Sequence, residues 1–492
     1  MLTAIPGSRC GRRISSSTSR SSNRGVSRRG RLAWAGFLWI LPAAALAQAA
    51  GPPKPTPNQA AMAALVARTC AALAGQPVGT VGLTAAQQDL LQRCSVLTNA
   101  ATAPTVLAAA YNAILGQQVN ALGPLTRQFA TLAQDNLTAR LAELRRGQQG
   151  VSLAGLAVTD ADGRELIAGQ SGAAGLLPGG ASGDSSGDLL DGKLGIFLNG
   201  NLTVGSKGPS LNSFAFDVSG NSLTLGADYR VGERFVVGGA IGSGRTKTDF
   251  GDALGRVDLD STGVSVFASY YRERFYLDLL AGVGRPKVDL RRHINYTEMP
   301  GTPGAIVIDQ RTHGATHSQE AWTGLSSGWD FHWSALSVTP ELSLNFHQNR
   351  LDGFRETVSQ PLAPGAGLAL AFDPVTVPSL QGRAGIRVAY VFSTPWGVLV
   401  PNAHATYIRE FRNSADAFAV RYADSAMMGS PAEQPALIHA DAPEGHYTAN
   451  GGGVMAQFAH GISGFADYEQ LRSLQTIKKH EFAFGLRYQG SF

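Results

Sequence analysis

The 492 residues leave room for two or three domains. Only 16% are charged, while Gly reaches 59 and hydrophobic residues 44%, with no very long apolar run. That balance argues against a bundle of membrane helices and for strands. The formal charge of +5 comes from residues 1–47, which carry eight Arg and no acid or Lys. Taking those eight from 41 basic residues leaves 33 against 36 acidic, a net of -3, so no nucleic-acid partner is read from the basic pI.

Residues 1–47 read as a signal peptide. Arg12, Arg13, Arg28, Arg29 and Arg31 form a basic lead. Leu32 to Leu46 is apolar but short of the ~20 residues of a spanning helix. Ala45-Leu46-Ala47 supplies a small-x-small cleavage site. Cys10 leaves with this segment. Cys70 and Cys94 remain and are expected to form a disulfide in an oxidising compartment.

Residues 48–150 read as a small α-helical module. Met62, Leu65, Val66, Thr69 and Leu73 follow the 3.6 period. Thr84 with Gln87 makes a capping box for a second helix. Pro104 suits the first position of a third helical stretch, Thr105 to Arg146, which Gly123-Pro124 is expected to kink or break. Leu125, Phe129 and Leu132, then Leu137, Leu141 and Leu144, make an apolar stripe; it reads as two helices packing on their neighbours rather than an oligomeric coiled coil. Residues 151–187 read as a small hairpin around Asp162-Gly163 and a Gly/Ser-rich linker.

From about residue 188 to 492 the period becomes 2. Leu223, Leu225, Ala227 and Tyr229 alternate with Ser222, Thr224, Gly226 and Asp228; Ile386, Val388, Tyr390 and Phe392 alternate with Gly385, Arg387 and Ala389. Twelve strands are predicted, starting near Leu194, Ser213, Arg234, Arg256, Arg274, His317, Ala335, Leu380, Trp396, Tyr447, Ile462 and His480. Short turns alternate with long polar loops, expected at Arg292 to Thr316, Gly353 to Ser379 and Asn413 to Gly445. Tyr229, Tyr270, Tyr390 and Tyr488 lie near strand ends, as an aromatic girdle requires. The last strand puts Phe482, Phe484, Leu486, Tyr488 and Phe492 on one parity, an apolar face expected to serve as the barrel-assembly signal. The fold class is therefore α+β in parts: a transmembrane antiparallel β-barrel of about twelve strands behind a helical module.

No catalytic, cofactor or metal site emerges, and no enzyme is expected. Gly183-Asp184-Ser185 lies in the linker, with no matching Asp-x-x-His. Gly200 to Lys207 lacks the Gly-Lys-Ser/Thr order of a phosphate loop and falls in a strand pattern. His293, His313, His317, His332 and His347 cluster in one part of the barrel; His313 and His317 would suit a metal if helical but read as solvated loop histidines, and Asp467 and Glu469 read as part of a polar lumen.

Residues 188–492 resemble the C-terminal β-barrel domain of the autotransporter family, type V secretion. The resemblance rests on Leu194 to Gly200 (LGIFLNG), Leu223 to Arg230 (LTLGADYR), Pro401 to Phe411 (PNAHATYIREF), Gly464 to Gln470 (GFADYEQ) and the closing FAFGLRY. It implies a monomeric barrel in the outer-membrane bilayer of a Gram-negative cell. It also implies insertion by the barrel-assembly machinery with periplasmic chaperones, and translocation of the N-terminal part as passenger. The family often threads a helix through the pore just before strand one; here that stretch is Gly-rich. The resemblance implies display of the helical module at the cell surface. The second reading is a structural outer-membrane barrel whose helices stay in the periplasm.

Overall fold

The structure, a computed structural model, describes residues 54–75, 82–145, 151–154, 158–159, 165–166, 194–251, 254–412, 416–424, 434–458, 462–472 and 477–488. The signal segment and most of the linker, with Gly183-Asp184-Ser185, lie outside them.

The helices begin where the sequence signals them. α1 (Pro57–Ala74) opens on a Thr56–Gln59 capping box with Pro at its first turn, and α2 (Ala85–Leu97) on the Thr84–Gln87 box. In each, a side chain and a backbone N–H satisfy one another at the exposed helix end. Cys70 and Cys94 are joined in a disulfide, with Cα atoms 5.7 Å apart. α3 (Pro104–Ile114) ends sooner than expected. The break comes at Gly116, whose φ of 66° is cheap only for glycine, and not at Gly123-Pro124. A Cβ there would also press on Leu370 and Phe372 at 3.1 and 3.2 Å. A 3-10 turn, Gln117–Ala121, leads into α4 (Leu122–Arg145), with Pro124 in the first turn of the new helix.

Twelve long strands follow among the described residues. They are β1 (Leu194–Lys207), β2 (Phe216–Val231), β3 (Phe235–Asp249), β4 (Gly255–Arg272), β5 (Phe275–Gly284, resuming at Lys287–Glu298), β6 (Ile306–Trp329), β7 (Leu336–Leu351), β8 (Val375–Tyr390), β9 (Gly397–Glu410), β10 (His446–Phe458), β11 (Ile462–Arg472) and β12 (Ile477–Tyr488). Each pairs antiparallel with the next. β12 returns to β1, from Ile477 opposite Lys207 to His480 opposite Val204, so the sheet is a closed barrel. Nearer the start of β1, Ile196 to Asn199 take a short strand, Val151–Ala154, in parallel. Val158–Thr159 and Glu165–Leu166 form the small hairpin.

The outer wall is apolar in a belt. On β4, Tyr270, Ala268, Val266 and Val264 alternate with inward Ser269, Phe267, Ser265 and Gly263; Val264 and Val266 are 53% and 63% exposed. From Tyr270 to Thr262 the strand path is about 26 Å, or about 20 Å of height at the usual tilt. Tyr229, Tyr270 and Tyr390 are exposed near the short turns, as a girdle requires. Side chains beyond His480 on β12, with Phe482, Phe484, Leu486 and Tyr488, lie outside the described residues, as does Phe492.

The expected long loops are not unstructured. Arg292 to Thr316 is no loop: β5 and β6 continue past the belt as a paired hairpin, Lys287 to Glu298 against Ile306 to His317. β6 is 24 residues long, about twice what a tilted membrane strand needs. Beyond the belt the two faces exchange character. On β4, Arg256, Asp258 and Asp260 point outward, while Val257 and Leu259 point inward and are buried. The stretch reads as loop because charge sits on the face that is lipid-facing lower down. Gly353 to Ser379 and Asn413 to Gly445 likewise contain a four-stranded sheet. It is built from Phe354–Arg355, Leu370–Phe372, Ala417–Tyr422 and Ala436–His439.

This sheet, the strand extensions and α1 to α3 share one apolar core. Met62, Leu65, Val66, Leu73, Leu90, Leu97 and Ile114 pack there with Leu259, Ile294, Tyr296, Ile308, Phe372, Phe418 and Ile438. Each such side chain is worth about 1.5–3 kcal/mol when fully buried. The helical region thus divides: α1 to α3 form a cap at the long-loop rim, and α4 leaves it for the lumen.

Candidate translocation pore

α4 runs down the barrel. Near the long-loop end, Phe129, Ala130 and Ala133 pack on Trp322 of β6; the Phe129 and Trp322 rings meet edge to face at 6.1 Å. Further along, Leu137 and Leu141 pack on Phe197, Val236, Ala240, Phe267 and Leu280. Val236 lies next to the β2–β3 short turn, and β1 begins at that same rim, with Leu194 opposite Tyr229. The chain therefore goes from cap, through the lumen, to the short-turn rim, and there starts the barrel.

Glycines make room for this filling. A Cβ on Gly282 would lie 2.3 Å from the Trp322 ring, and one on Gly244 2.8 Å from Phe129. Polar groups of the wall are used as well. Asn136 Nδ2 donates to Thr224 Oγ1 at 3.0 Å and Ser222 Oγ at 3.4 Å, and Gln134 Nε2 to the Thr323 carbonyl at 3.3 Å. Buried amides bonded in this way hold the helix in register, since leaving one unmade costs ~1–3 kcal/mol.

The cap is tied down by charge. Arg292 of β5 is fully buried and forks onto Glu356 with two 2.6 Å bonds. Its third contact, to the Ile114 carbonyl at 3.0 Å, satisfies the end of α3. Removing one partner of such a pair costs ~3–5 kcal/mol. On α2, Asp89 accepts from the backbone N–H of Gly365 and Gly367 at 3.0 and 2.9 Å. Arg93, one turn on, makes a short contact with Glu298. Burial pushes the Glu298 carboxyl up, against the pull of Arg93 and Tyr296. Asn58 of α1 exchanges two 2.9 Å bonds with the His439 backbone.

The other sequence candidates fall elsewhere. His313 and His317 are exposed on β6, not on a helix, and His313 bonds Asp289 at 2.7 Å. No group of three or more metal-ligating side chains occurs among the described residues. Asp467 is buried, and Glu469 meets His404 at 3.1 Å. Gly200 to Lys207 lies on β1. The stripe of α4 was visible in sequence; that its partner is the barrel wall was not. A helix packs alike on any apolar surface, and no signal in the chain separates the two.

The family described as Autotransporter beta-domain matches residues 196–469, just over half the chain. The chain belongs to the autotransporter family. Its β-domain is therefore an outer-membrane β-barrel of type V secretion, embedded in the lipid bilayer. An uncharacterized protein in the trpE-trpG intergenic region of Pseudomonas putida is 28% identical over 161 residues, 32% of this chain and 24% of that one. The match thus spans about a quarter of that relative's length. The translocator domain of autotransporter NalP from Neisseria meningitidis is similar at 17% identity and a TM-score of 0.44, covering 60% of this chain and 88% of that one. The β-domain of the Bordetella autotransporter BrkA is similar at 19% identity and a TM-score of 0.37, covering 61% and 100%.

Proposed function

We propose that this autotransporter carries its own N-terminal helices through the barrel and keeps them at the cell surface. Residues 1–47 direct export, and the barrel-assembly machinery, served by periplasmic chaperones, inserts a monomeric barrel. α1 to α3 then remain attached as a folded cap, with α4 as the stalk left in the pore. The chain acts as carrier and display platform and not as an enzyme.

One observation carries this reading: α1 to α3 share a core with the long loops, and α4 joins them through the lumen to the short-turn rim where β1 begins. Long loops of outer-membrane barrels face outward and short turns face the periplasm. A periplasmic helical domain would have to pack at the opposite rim. An epitope inserted between Ala100 and Ala101, at the exposed α2–α3 turn, tests it. Antibody binding to intact cells is expected. Binding only after permeabilisation sends the helices back to the periplasm.

A further inference from the structure

The outer wall above the belt carries charges in rows, and their order is unusual. By register, Asp249, Arg256, Arg291, His313 and Thr357 lie side by side across five strands. In the next row outward, His293 lies opposite Arg311, whose carbonyl accepts from Ser359 N–H. In the row toward the belt, Asp258 lies opposite Asp289. Like charges placed directly opposite in an antiparallel pair are destabilising. Here two arginines face each other, and so do two aspartates.

The acids neutralise from below. Asp258 reaches Arg256 at 3.4 Å, and Asp289 reaches Arg291 at 2.9 Å and His313 at 2.7 Å. Asp309 is taken by His293 at 2.5 Å, and Asp249 accepts from the Gly251 N–H at 2.7 Å. Arg311 forms no ion pair among the described residues. Arg256, Arg291, Arg311, His293, His313, Thr357 and Ser359 line one pocket of about 420 Å³, with the Asp249 carboxylate at its edge. It presents three planar guanidinium groups and two hydroxyls to one volume. Guanidinium forks match the geometry of phosphate oxygens.

The geometry points to a binding site for the phosphate of a lipid headgroup, and its height selects the lipid: a phosphorylated glycolipid of the outer leaflet. Arg256 lies six residues beyond Thr262, where the belt ends, about 20 Å along the strand path or about 15 Å of height at the usual tilt. That is above an ordinary phospholipid headgroup, since the interfacial layer adds only ~5–8 Å on each side of the hydrocarbon core. A headgroup of phosphorylated sugars stands tall enough. The pocket opens on the lipid-facing side of the wall, so such a lipid would bind as an annular neighbour, bridging β4, β5 and β6.

The test uses the full chain, folded in an uncharged detergent, and native mass spectrometry. Three probes are compared: a glycolipid whose headgroup carries phosphates on sugars beyond the acylated ones, the same lipid dephosphorylated, and inorganic pyrophosphate. The protein is expected to retain the phosphorylated lipid and to lose it roughly tenfold more readily once Arg256→Gln, Arg291→Gln and Arg311→Gln are combined, the scale of lost charge-assisted bonds. All three side chains are exposed, so heat-modifiable folding is expected to persist, and an Arg-to-Lys triple variant, which keeps the charge but loses the forks, to bind less than wild type and more than the Gln variant. Equal retention of both lipids, or equal retention by wild type and the Gln variant, overturns the site. Binding of pyrophosphate without the lipid overturns the lipid assignment. None of these outcomes depends on which side of the membrane α1 to α3 occupy, so this site and surface display fail separately.

Discussion

Glu298 shows how single side chains hold the cap. Its carboxylate is buried beside Arg93, and burial holds its pKa above the ordinary value. An acid with a raised folded-state pKa stabilises the fold most below its unfolded pKa, and this contribution is lost as pH rises through the raised value. Cap stability in the full chain should therefore fall as pH rises above about 4.5, the unfolded value. Glu298→Gln should flatten that part of the profile. Denaturant midpoints for cap unfolding across this range, compared between the two proteins, measure it. Parallel profiles would show that Glu298 is not the group responsible. Arg292 is a different case, because its two 2.6 Å bonds to Glu356 and its hold on the Ile114 carbonyl leave no water to take over a lost partner.

α4 is the element on which transport turns. Its apolar stripe fills the side of the lumen formed around Trp322 and Phe267. Phe129→Asp would place a carboxylate against the Trp322 ring and loosen the upper half of the helix. In planar bilayers the variant should conduct several-fold more current than wild type; unchanged conductance would mean that α4 is not what blocks the pore. How much of this was legible varies with what each face meets. Ten strands were readable to within a few residues, because Val264, Val266, Leu342 and Leu344 point to lipid while Ser265, Ser343 and Asn345 point inward. β6 was misread at its start because Asp309, Arg311 and His313 sit on its outer face above the belt, where water replaces lipid. β8 begins five residues before Leu380, within what reads as loop. The capping boxes of α1 and α2 were legible because capping is local. The cap was not, since Leu65 and Leu90 carry no mark of the Phe372, Phe418 and Ile438 they meet hundreds of residues later.

The whole molecule combines two solvents in one wall. Lower down, lipid is outside and polar groups face α4; higher up, water is outside and apolar groups face α1 to α3. Among the described residues β12 pairs with β1 from Ile477 to His480, and closing this seam matters because hydrocarbon does not tolerate a free edge. Closure requires β12 to be recognised and paired. Replacing Tyr488 and Phe492 by Ser should lower the yield of heat-modifiable barrel and leave protein in the periplasm; normal barrel levels would remove these residues from the assembly signal. The central claim is that α4 occupies the lumen while the cap sits beyond it. Asn136→Cys with Thr224→Cys tests it most directly, because these side chains touch at 3.0 Å across the helix–wall contact. Cells carrying the pair are treated with a short bifunctional thiol reagent, and the protein is then cut between the two positions. The account predicts that the two fragments stay linked, and only when both cysteines are present. Fragments that separate, from a barrel that is otherwise folded and heat-modifiable, would contradict it.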